Sequence, residues 1–281
     1  MRYILASDFF IDDFIGGAAL NDEEIYKVFK NKGEDIEKIK TSNITEEFLE
    51  KEKDSFFIVS NFFHLPTEAR EKLSSLKYLI YAHDYKFVKH TNPAAYDDFK
   101  VPEVDIINKD FHEKAVVIMC QSSLQQKIYN LNLDVEGSTV NVSGNLWSDE
   151  DFEVLEEMEK VKEKKQMCSV IKSHYWQKGV PEAIKICIEK QFNYDLIHDD
   201  DYHQFLRKLG LNAALMFYPL TPETLCRAVA EARMMNVKVI TSNMVGATHE
   251  KWFDDIKGKE LIDYMKDRRD YVYSRIKLSS S

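Results

Sequence analysis

The chain has 281 residues, of which 44% are hydrophobic and 31% charged, as in a folded globular protein with room for two small domains. A formal net charge of −10 argues against a general nucleic-acid-binding surface, because phosphate recognition depends on clustered lysine and arginine. No apolar run approaches the ~18 residues of a membrane span and the start lacks signal-peptide features, so we expect a cytoplasmic protein. Four cysteines without metal-ligand spacing are predicted to be reduced, buried thiols: Cys120, Cys168, Cys187 and Cys226.

Nine short runs of β-branched and aromatic residues predict strands that are buried on both faces of a parallel sheet. In chain order they are 3–6, 56–59, 78–81, 115–119, 139–142, 168–171, 195–197, 213–218 and 238–240. Helical patterns lie between many of them, at 22–31, 67–76, 122–131, 180–189 and 222–235. This alternation predicts an α/β fold with doubly wound parallel sheets.

A composition shift divides the chain. Residues 148–166 are highly charged but keep helical apolar spacing at Phe152, Leu155 and Met158. We therefore predict two Rossmann-like domains with an interdomain cleft. The expected segments are an N-terminal domain at 1–147, a charged helical linker at 148–165, a C-terminal domain at 166–258, and a helix with a frayed tail at 259–281.

Small and polar residues follow most of the predicted strands, at the carboxyl edge where open α/β sheets bind ligands. Each is weak evidence alone, and together they mark one face of each sheet. They include Ser7, Asp8, Ser60, Asn61, His83, Asp84, Gln121, Ser122, Ser143, Ser173, His198 and Ser242.

The most specific pattern runs from Thr221 through Glu223 to Glu231. Thr221 is a plausible N-cap before Pro222, which would place Glu223 in the first helical turn and Glu231 about two turns later. The first-turn amides of Thr224 and Leu225 would then form an anion site. The alternative is that Glu223 serves the helix dipole while Glu231 pairs with Arg227 on a solvated face.

A second pattern lies between the strand at 168–171 and the helix at 180–189. The connecting loop carries Lys172 and Lys178, and Gly179 precedes the helix. Cations at a strand's carboxyl end, facing a helix N-terminus, suit a diphosphate, although two loop lysines can equally be solvated.

Together these two patterns resemble the retaining GT-B glycosyltransferases, in particular family four. The resemblance implies that Lys178, with Lys172 before it, holds the donor diphosphate. It also implies that Glu223 holds the transferred sugar and Glu231 the ribose. The strand at 238–240 and the segment 241–247 resemble the elements that follow the family's Glu-x7-Glu helix.

The N-terminal half is similar in order. Gly16 and Gly17 resemble the family's glycine-rich acceptor loop, where glycine permits close backbone approach, although an ordinary turn explains them equally well. His83 resembles the family's strand-end histidine near the anomeric carbon. The segments at 117–123 and 143–145 resemble the later strand with its serine turn and the link between domains. A compact subgroup of the phage and large-virus type fits the chain length.

The pattern departs from the family in two places. Ile171-Lys172 stands where the family usually has Gly-Arg, so Lys172 would act as a point charge without a bidentate fork. The chain is also short for this fold. A run at 198–201 matches the DxD signature of metal-dependent transferases, but a solvated acidic loop is the better interpretation.

The sequence thus predicts a retaining, metal-independent glycosyltransferase with catalytic residues His83, Lys178 and Glu223. It would use no cofactor, only a nucleotide-sugar donor, with a UDP- or GDP-sugar favoured, and a glycan, lipid or modified base as acceptor. The alternatives are a non-catalytic nucleotide-sugar-binding protein, a GT-B-type epimerase, and a phage DNA-base glycosyltransferase with a local basic rim at Lys86, Lys89, His90 and Lys100. The sequence does not predict an oligomeric state.

Overall fold

A computed structural model describes residues 1–13 and 15–281 and divides the chain into two compact units. The first unit comprises Met1–Leu146 and Asp267–Ser281, and the second comprises Trp147–Lys266. Each contains one parallel sheet with helices on its faces, so the predicted α/β class with two Rossmann-like domains is confirmed.

The first unit is built on a six-stranded sheet with the order β2-β1-β3-β4-β5-β6. Its strands pair in parallel; they are β1 Arg2–Ser7, β2 Asp35–Lys40, β3 Phe56–Val59, β4 Tyr78–Tyr81, β5 Ile118–Cys120 and β6 Thr139–Asn141. Its helices are α1 Gly17–Asn31, α2 Glu46–Lys51, α3 Thr67–Leu73, α4 Lys109–Glu113 and α5 Ser123–Asn132. Strand β2 was not predicted: only Ile36 among its residues is buried, so this edge strand lacks the solid apolar run of the central strands.

The second unit is built on a four-stranded parallel sheet with the order β10-β9-β7-β8. Its strands are β7 Lys165–Ile171, β8 Tyr194–Ile197, β9 Asn212–Phe217 and β10 Lys238–Thr241. Its helices are α6 Asp149–Glu159, α7 Val180–Glu189, α8 Tyr202–Leu211, α9 Arg227–Met234 and α10 Lys251–Asp255. Helix α8 was not predicted, although Leu206 and Leu209 on one face are fully buried.

The expected linker at 148–165 is instead part of the second unit. Helix α6 begins with a capping box between Ser148 and Asp151. Its apolar residues Phe152 and Leu155 are buried in the core of that unit. The high charge of this segment therefore belongs to the outer face of a packed helix, and residue 147 also lies in the second unit.

The C-terminal helix, α11 at Gly258–Ser280, extends through most of the expected frayed tail, where Ser280 is buried, and contributes to both cores. Leu261, Ile262 and Met265 pack in the second unit. Val272 and Ile276 pack in the first. The segment that was expected as a closing helix and tail is thus divided at Lys266 and Asp267.

None of the helices in the described ranges is long and apolar enough to cross a bilayer. The cysteines are free thiols as expected, and burial is complete or nearly so for Cys120, Cys168 and Cys187, while Cys226 is partly buried.

Candidate functional site

Lys178 and Glu223 form the central contact of the second unit's candidate site. The Lys178 Nζ donates to Glu223 Oε1 at 2.8 Å and Oε2 at 3.0 Å. The lysine side chain is 40% exposed and the glutamate 15%, so both are accessible from solvent. Burial opposes the charge on the lysine, but the neighbouring Glu223 carboxylate outweighs it and raises the pKa of Lys178.

Gly179 brings this lysine into position. The chain leaves β7, passes through a 3-10 turn at Trp176–Lys178, and enters α7 with Gly179 at φ +60°. A Cβ at this glycine would lie 1.7 Å from the backbone oxygen of Tyr218. The loop is therefore pressed against the segment after β9, and the Leu220 amide donates to the Gln177 carbonyl at 2.8 Å. Only glycine fits at this approach.

Glu223 lies in an extended segment, and the predicted helix start at Pro222 is wrong. Its amide donates to the Met244 carbonyl at 2.8 Å, and its carbonyl accepts from the Gly246 amide at 2.9 Å. This parallel bridge with Val245 continues to Leu225, whose carbonyl accepts from Ala247. Pairing with a distant segment of the chain outcompetes the local helix signal.

Helix α9 consequently begins at Arg227, after Cys226 at φ +75°. Thr221 is not its N-cap, and the amides of Thr224 and Leu225 are not first-turn amides, so the predicted helix-terminus anion site at these residues is wrong. The Leu225 side chain is fully buried in the core, whereas Thr221 and Thr224 are partly exposed.

Glu231 lies at the centre of a buried polar cluster in α9. Its Oε1 accepts from Trp147 Nε1 at 2.9 Å and from the Tyr202 hydroxyl. Arg227 Nε lies 3.4 Å from the same oxygen, and its guanidinium stacks 4.4 Å from the Trp147 ring centre. The pairing of Glu231 with Arg227 therefore exists, but it is buried, with Glu231 1% exposed, and the face is not solvated.

Burial is the largest influence on the pKa of Glu231 in this cluster. It raises the pKa of Glu231, against the opposing effects of the Arg227 charge and the hydrogen bonds from Tyr202 and Trp147. Asp151 lies 3.8 Å from the guanidinium and also accepts from His203 Nε2 at 2.9 Å. No role was predicted for Trp147 or Tyr202, since neither is near Glu231 in the chain.

Lys172 is exposed at the start of the β7–α7 loop, where its amide donates to the Ile197 carbonyl at 3.0 Å. The structure thus places Lys172 and Lys178 on one loop and joins Lys178 to Glu223. The Glu231 side chain is directed into a separate, interior cluster.

In the first unit, Gly16 and Gly17 form the N-terminus of α1. Gly16 is the N-cap, with an extended backbone at φ −149°, and its carbonyl accepts from the Leu20 amide at 2.9 Å. The helix starts several residues before its predicted beginning. Neither glycine needs a positive φ, so any role here rests on their lack of a side chain.

His83 belongs to a chain of hydrogen bonds at the carboxyl edge of the first sheet. Its Nε2 lies 2.8 Å from Asp22 Oδ1, and its Nδ1 lies 2.9 Å from Gln121 Nε2. The hydroxyls of Ser7 and Ser60 donate to the other oxygen of Asp22. The imidazole is 6% exposed and the Asp22 side chain is fully buried.

Asp22 was not predicted as a site residue, and Gln121 was noted only as a strand-end residue. A signal for Asp22 was nonetheless present. It occupies the apolar face of α1 with Ala19, Ile25 and Phe29, all of them buried. A lone carboxylate on the buried face of a helix requires polar partners, and the strand-end serines and histidine supply them.

The acidic run at 198–201 has local structural roles. Asp199 pairs with Lys208 at 2.8 Å, and the Asp201 side chain caps α8 by accepting from the Gln204 amide at 3.0 Å. Across the described ranges, no group of three or more His, Cys, Asp or Glu side chains is arranged to hold a metal ion.

No protein-family model and no curated protein matches the sequence. Solved structures match in fold. The catalytic domain of starch synthase IV from Arabidopsis thaliana, bound to ADP and acarbose, aligns with a TM-score of 0.57 and 10% identity over 99% of this chain and 94% of its own. A glycosyltransferase from Rickettsia africae aligns with 0.53 and 13% identity over 99% and 96%.

The Anabaena protein HepE in complex with UDP-glucose aligns with a TM-score of 0.50 and 12% identity, covering 100% of this chain and 92% of its own. At such identities the likeness concerns the fold alone. The chain therefore has the two-domain Rossmann-like fold of GT-B glycosyltransferases.

Proposed function

We propose that this protein is a retaining, metal-independent glycosyltransferase that uses a UDP- or GDP-sugar and resembles family four. The observation that carries the proposal is the Lys178–Glu223 pair, a cation and a carboxylate that are both accessible at the carboxyl edge of the second sheet. Structures of the same fold have been solved with ADP or UDP-glucose bound, which supports a nucleotide-sugar as the donor.

The two side chains would bind different parts of the donor. The Lys178 ammonium would stabilise the negative charge that develops on the leaving diphosphate, which is where preorganised charge acts most strongly. Lys172, exposed on the same loop, would add a second positive charge to the diphosphate. Glu223 would accept a hydrogen bond from a hydroxyl of the transferred sugar, beside its contact with Lys178.

Glu231 keeps the ribose role that the resemblance implies. Its side chain is 1% exposed, and its contacts to Trp147, Tyr202 and Arg227 converge on Oε1, so ribose binding through Oε2 would require this buried cluster to open. Among the residues assigned by resemblance, Thr221, Thr224 and Leu225 would then line the donor site through the extended backbone, not through helix-terminal amides. Gly16, Gly17 and His83 keep, within the first unit, the roles that the resemblance implies, with His83 serving the transferred sugar.

Retention is what the resemblance implies, and the available groups favour one route to it. Lys178 is committed to charge stabilisation and Glu223 is paired with it, so neither is placed as a nucleophile. Front-face substitution, in which the leaving phosphate accepts the proton of the acceptor hydroxyl, requires no further protein base. The acceptor would be a glycan, a lipid or a modified base.

A thermal-shift screen with UDP-, GDP-, ADP- and CMP-sugars in EDTA tests the donor assignment. A ligand present at 100 times its Kd stabilises the native state by about 2.7 kcal/mol, so a UDP- or GDP-sugar should raise the melting temperature clearly. Lys178→Ala should remove the shift. Lys185→Ala, on the exposed face of α7 with its side chain 75% exposed, is the matched control and should keep it.

Transfer to a panel of acceptors, followed by NMR of the anomeric configuration, tests the reaction. Retention in the product supports the proposal, and inversion contradicts the mechanism. Donor binding without hydrolysis or transfer would favour a non-catalytic nucleotide-sugar-binding protein. Release of an epimerised sugar in the absence of acceptor would favour an epimerase.

A further inference from the structure

The side-chain amide of Gln121 has only one possible orientation. Its Nε2 lies 2.8 Å from the backbone oxygen of Ala82. A carbonyl oxygen only accepts hydrogen bonds, so the NH2 group of the amide must face it. The reverse orientation would place two acceptor oxygens in contact. Gln125, in the first turn of α5, fixes the same residue, because its Oε1 accepts from the Gln121 backbone amide at 2.8 Å.

This orientation determines the state of the neighbouring histidine. The same Nε2 of Gln121 lies 2.9 Å from His83 Nδ1, and an NH2 group has no lone pair to offer. Nδ1 must therefore accept, so it carries no proton. The opposite nitrogen, Nε2, lies 2.8 Å from Asp22 Oδ1 and must carry the proton that this carboxylate accepts.

The other oxygen of Asp22 accepts hydrogen bonds from two serines. The Ser7 hydroxyl donates to Oδ2 at 3.1 Å and the Ser60 hydroxyl donates to the same atom. A carboxylate that accepts three such hydrogen bonds is satisfied although it is fully buried. The chain of bonds thus joins α1 to the carboxyl ends of β1, β3, β4 and β5.

We propose that Asp22 and Gln121 are positioning residues that keep His83 neutral, in the tautomer protonated at Nε2, and fix the plane of its ring. The catalytic consequence rests on the proposed function. Glycosyl transfer builds positive charge on the sugar ring, as in the oxocarbenium-like transition state of glycoside cleavage. A neutral imidazole beside that sugar avoids the repulsion that an imidazolium would exert.

Nitrogen-15 NMR of the imidazole in the full, ligand-free chain at neutral pH tests the tautomer directly. Loss of a signal in His83→Gln assigns it among the eight histidines. We expect Nδ1 to show the shift of an unprotonated nitrogen and Nε2 that of an N–H. Protonation at Nδ1, or an equal mixture of both tautomers, would overturn the proposal.

Gln121→Glu replaces the donor by a carboxylate and should convert His83 to the doubly protonated form. Gln121→Met has a side chain of similar size without a hydrogen-bond donor, so His83 should then populate both tautomers. This variant tests the role of Gln121 if Gln121→Glu does not fold. Gln126→Glu, on the helix that follows Gln121, is the matched control, because its Nε2 contacts Thr139 instead. It should leave the His83 signals unchanged; the same signals in all variants would refute a role for Gln121.

A kinetic experiment tests the catalytic consequence, with UDP-glucose or whichever nucleotide-sugar the binding screen identifies. Gln121→Glu should lower kcat by about tenfold or more with little change in KM, because the added charge acts in the transition state. Gln126→Glu should retain wild-type kcat. Transfer at the wild-type rate with a doubly protonated His83 would overturn this role alone. Absence of transfer in the wild type, with the expected tautomer present, would instead refute the proposed function.

Discussion

Lys178 and Glu223 lie 45 positions apart in the chain, and a single ammonium contacts both oxygens of one carboxylate, at 2.8 and 3.0 Å. Lys178 follows β7, whereas Glu223 follows β9 and pairs with the segment after β10. The contact therefore depends on three neighbouring strands ending at the same edge of the sheet. Both side chains are partly exposed, and the proposed donor binding rests on this pair.

Replacing either member of this pair should abolish transfer without unfolding the protein. A partly exposed ion pair contributes about 0–1 kcal/mol to stability, so Lys178→Ala and Glu223→Ala should melt close to the wild type. Their kcat/KM should fall by about 100-fold or more, because charge stabilisation of the leaving group is lost. Steady-state kinetics and calorimetry measure the two effects, and wild-type turnover in either variant would refute its assigned role.

Gly179→Ala should damage the site through the backbone. The φ of +60° strains an alanine, and its Cβ would lie 1.7 Å from the Tyr218 backbone oxygen. Strain and overlap together should cost about 2–5 kcal/mol. Lys178 should be displaced and donor binding lost, as a melting curve and a donor titration would show.

Gly33→Ala is the matched control for this substitution, since Gly33 shares a positive φ of +76° but has nothing within 4 Å of an added Cβ. It should lose about 1–2 kcal/mol of stability and keep donor binding. Equal effects of the two substitutions on binding would contradict the assigned role of Gly179.

Chelation should not affect the proposed reaction, and the acidic run should act only in the fold. Asp200 is fully exposed, so Asp200→Ala should leave both stability and donor binding unchanged. Asp201→Ala removes the cap of α8 and should cost about 1 kcal/mol, again without loss of donor affinity. Titration of the donor with EDTA or with added Mg2+ measures this. A requirement for the divalent ion that is lost or weakened in Asp200→Ala or Asp201→Ala would show that the run is a metal site.

Mild acid should destabilise the first unit through His112. Burial lowers the pKa of this histidine to about 4, against the opposing bond from its Nδ1 to the Asn108 carbonyl. In the unfolded chain the group takes up its proton near its ordinary pKa of about 6.5, so its contribution to stability is fully present above that pH and falls as the pH decreases towards 4. The expected loss between about pH 7 and 5 is about 2 kcal/mol.

Urea unfolding of His112→Gln at the two pH values measures this contribution. The loss should largely disappear in this variant, whereas it should persist in the exposed control His90→Gln. Circular dichroism follows the whole chain, and tryptophan fluorescence serves as an internal reference because all three tryptophans, Trp147, Trp176 and Trp252, lie in the second unit. An unchanged loss in His112→Gln would assign the acid sensitivity to other groups.

Local patterns in the sequence were sufficient for the fold class and for the order of most elements. Solid apolar runs such as Phe56–Val59 and Tyr78–Tyr81 are buried on both faces, and this is a property that each segment carries by itself. Strand β2 was not predicted, because an edge strand with one buried residue lacks a solid apolar run. Helix α8 was missed although its buried face, with Leu206 and Leu209, is clearly apolar. The charge of α6 suggested a linker because composition does not report which face is packed.

The sequence alone determined a set of candidate groups, Lys178, Glu223, Glu231 and His83, and the order of most of the strands and helices that carry them. Only the tertiary structure decided their partners. It joined Lys178 to Glu223, enclosed Glu231 with Trp147 and Tyr202, and replaced a predicted helical turn by pairing with Val245. The physical reason is that a hydrogen bond or ion pair depends on distance in space, whereas propensity and periodicity report only on neighbours in the chain.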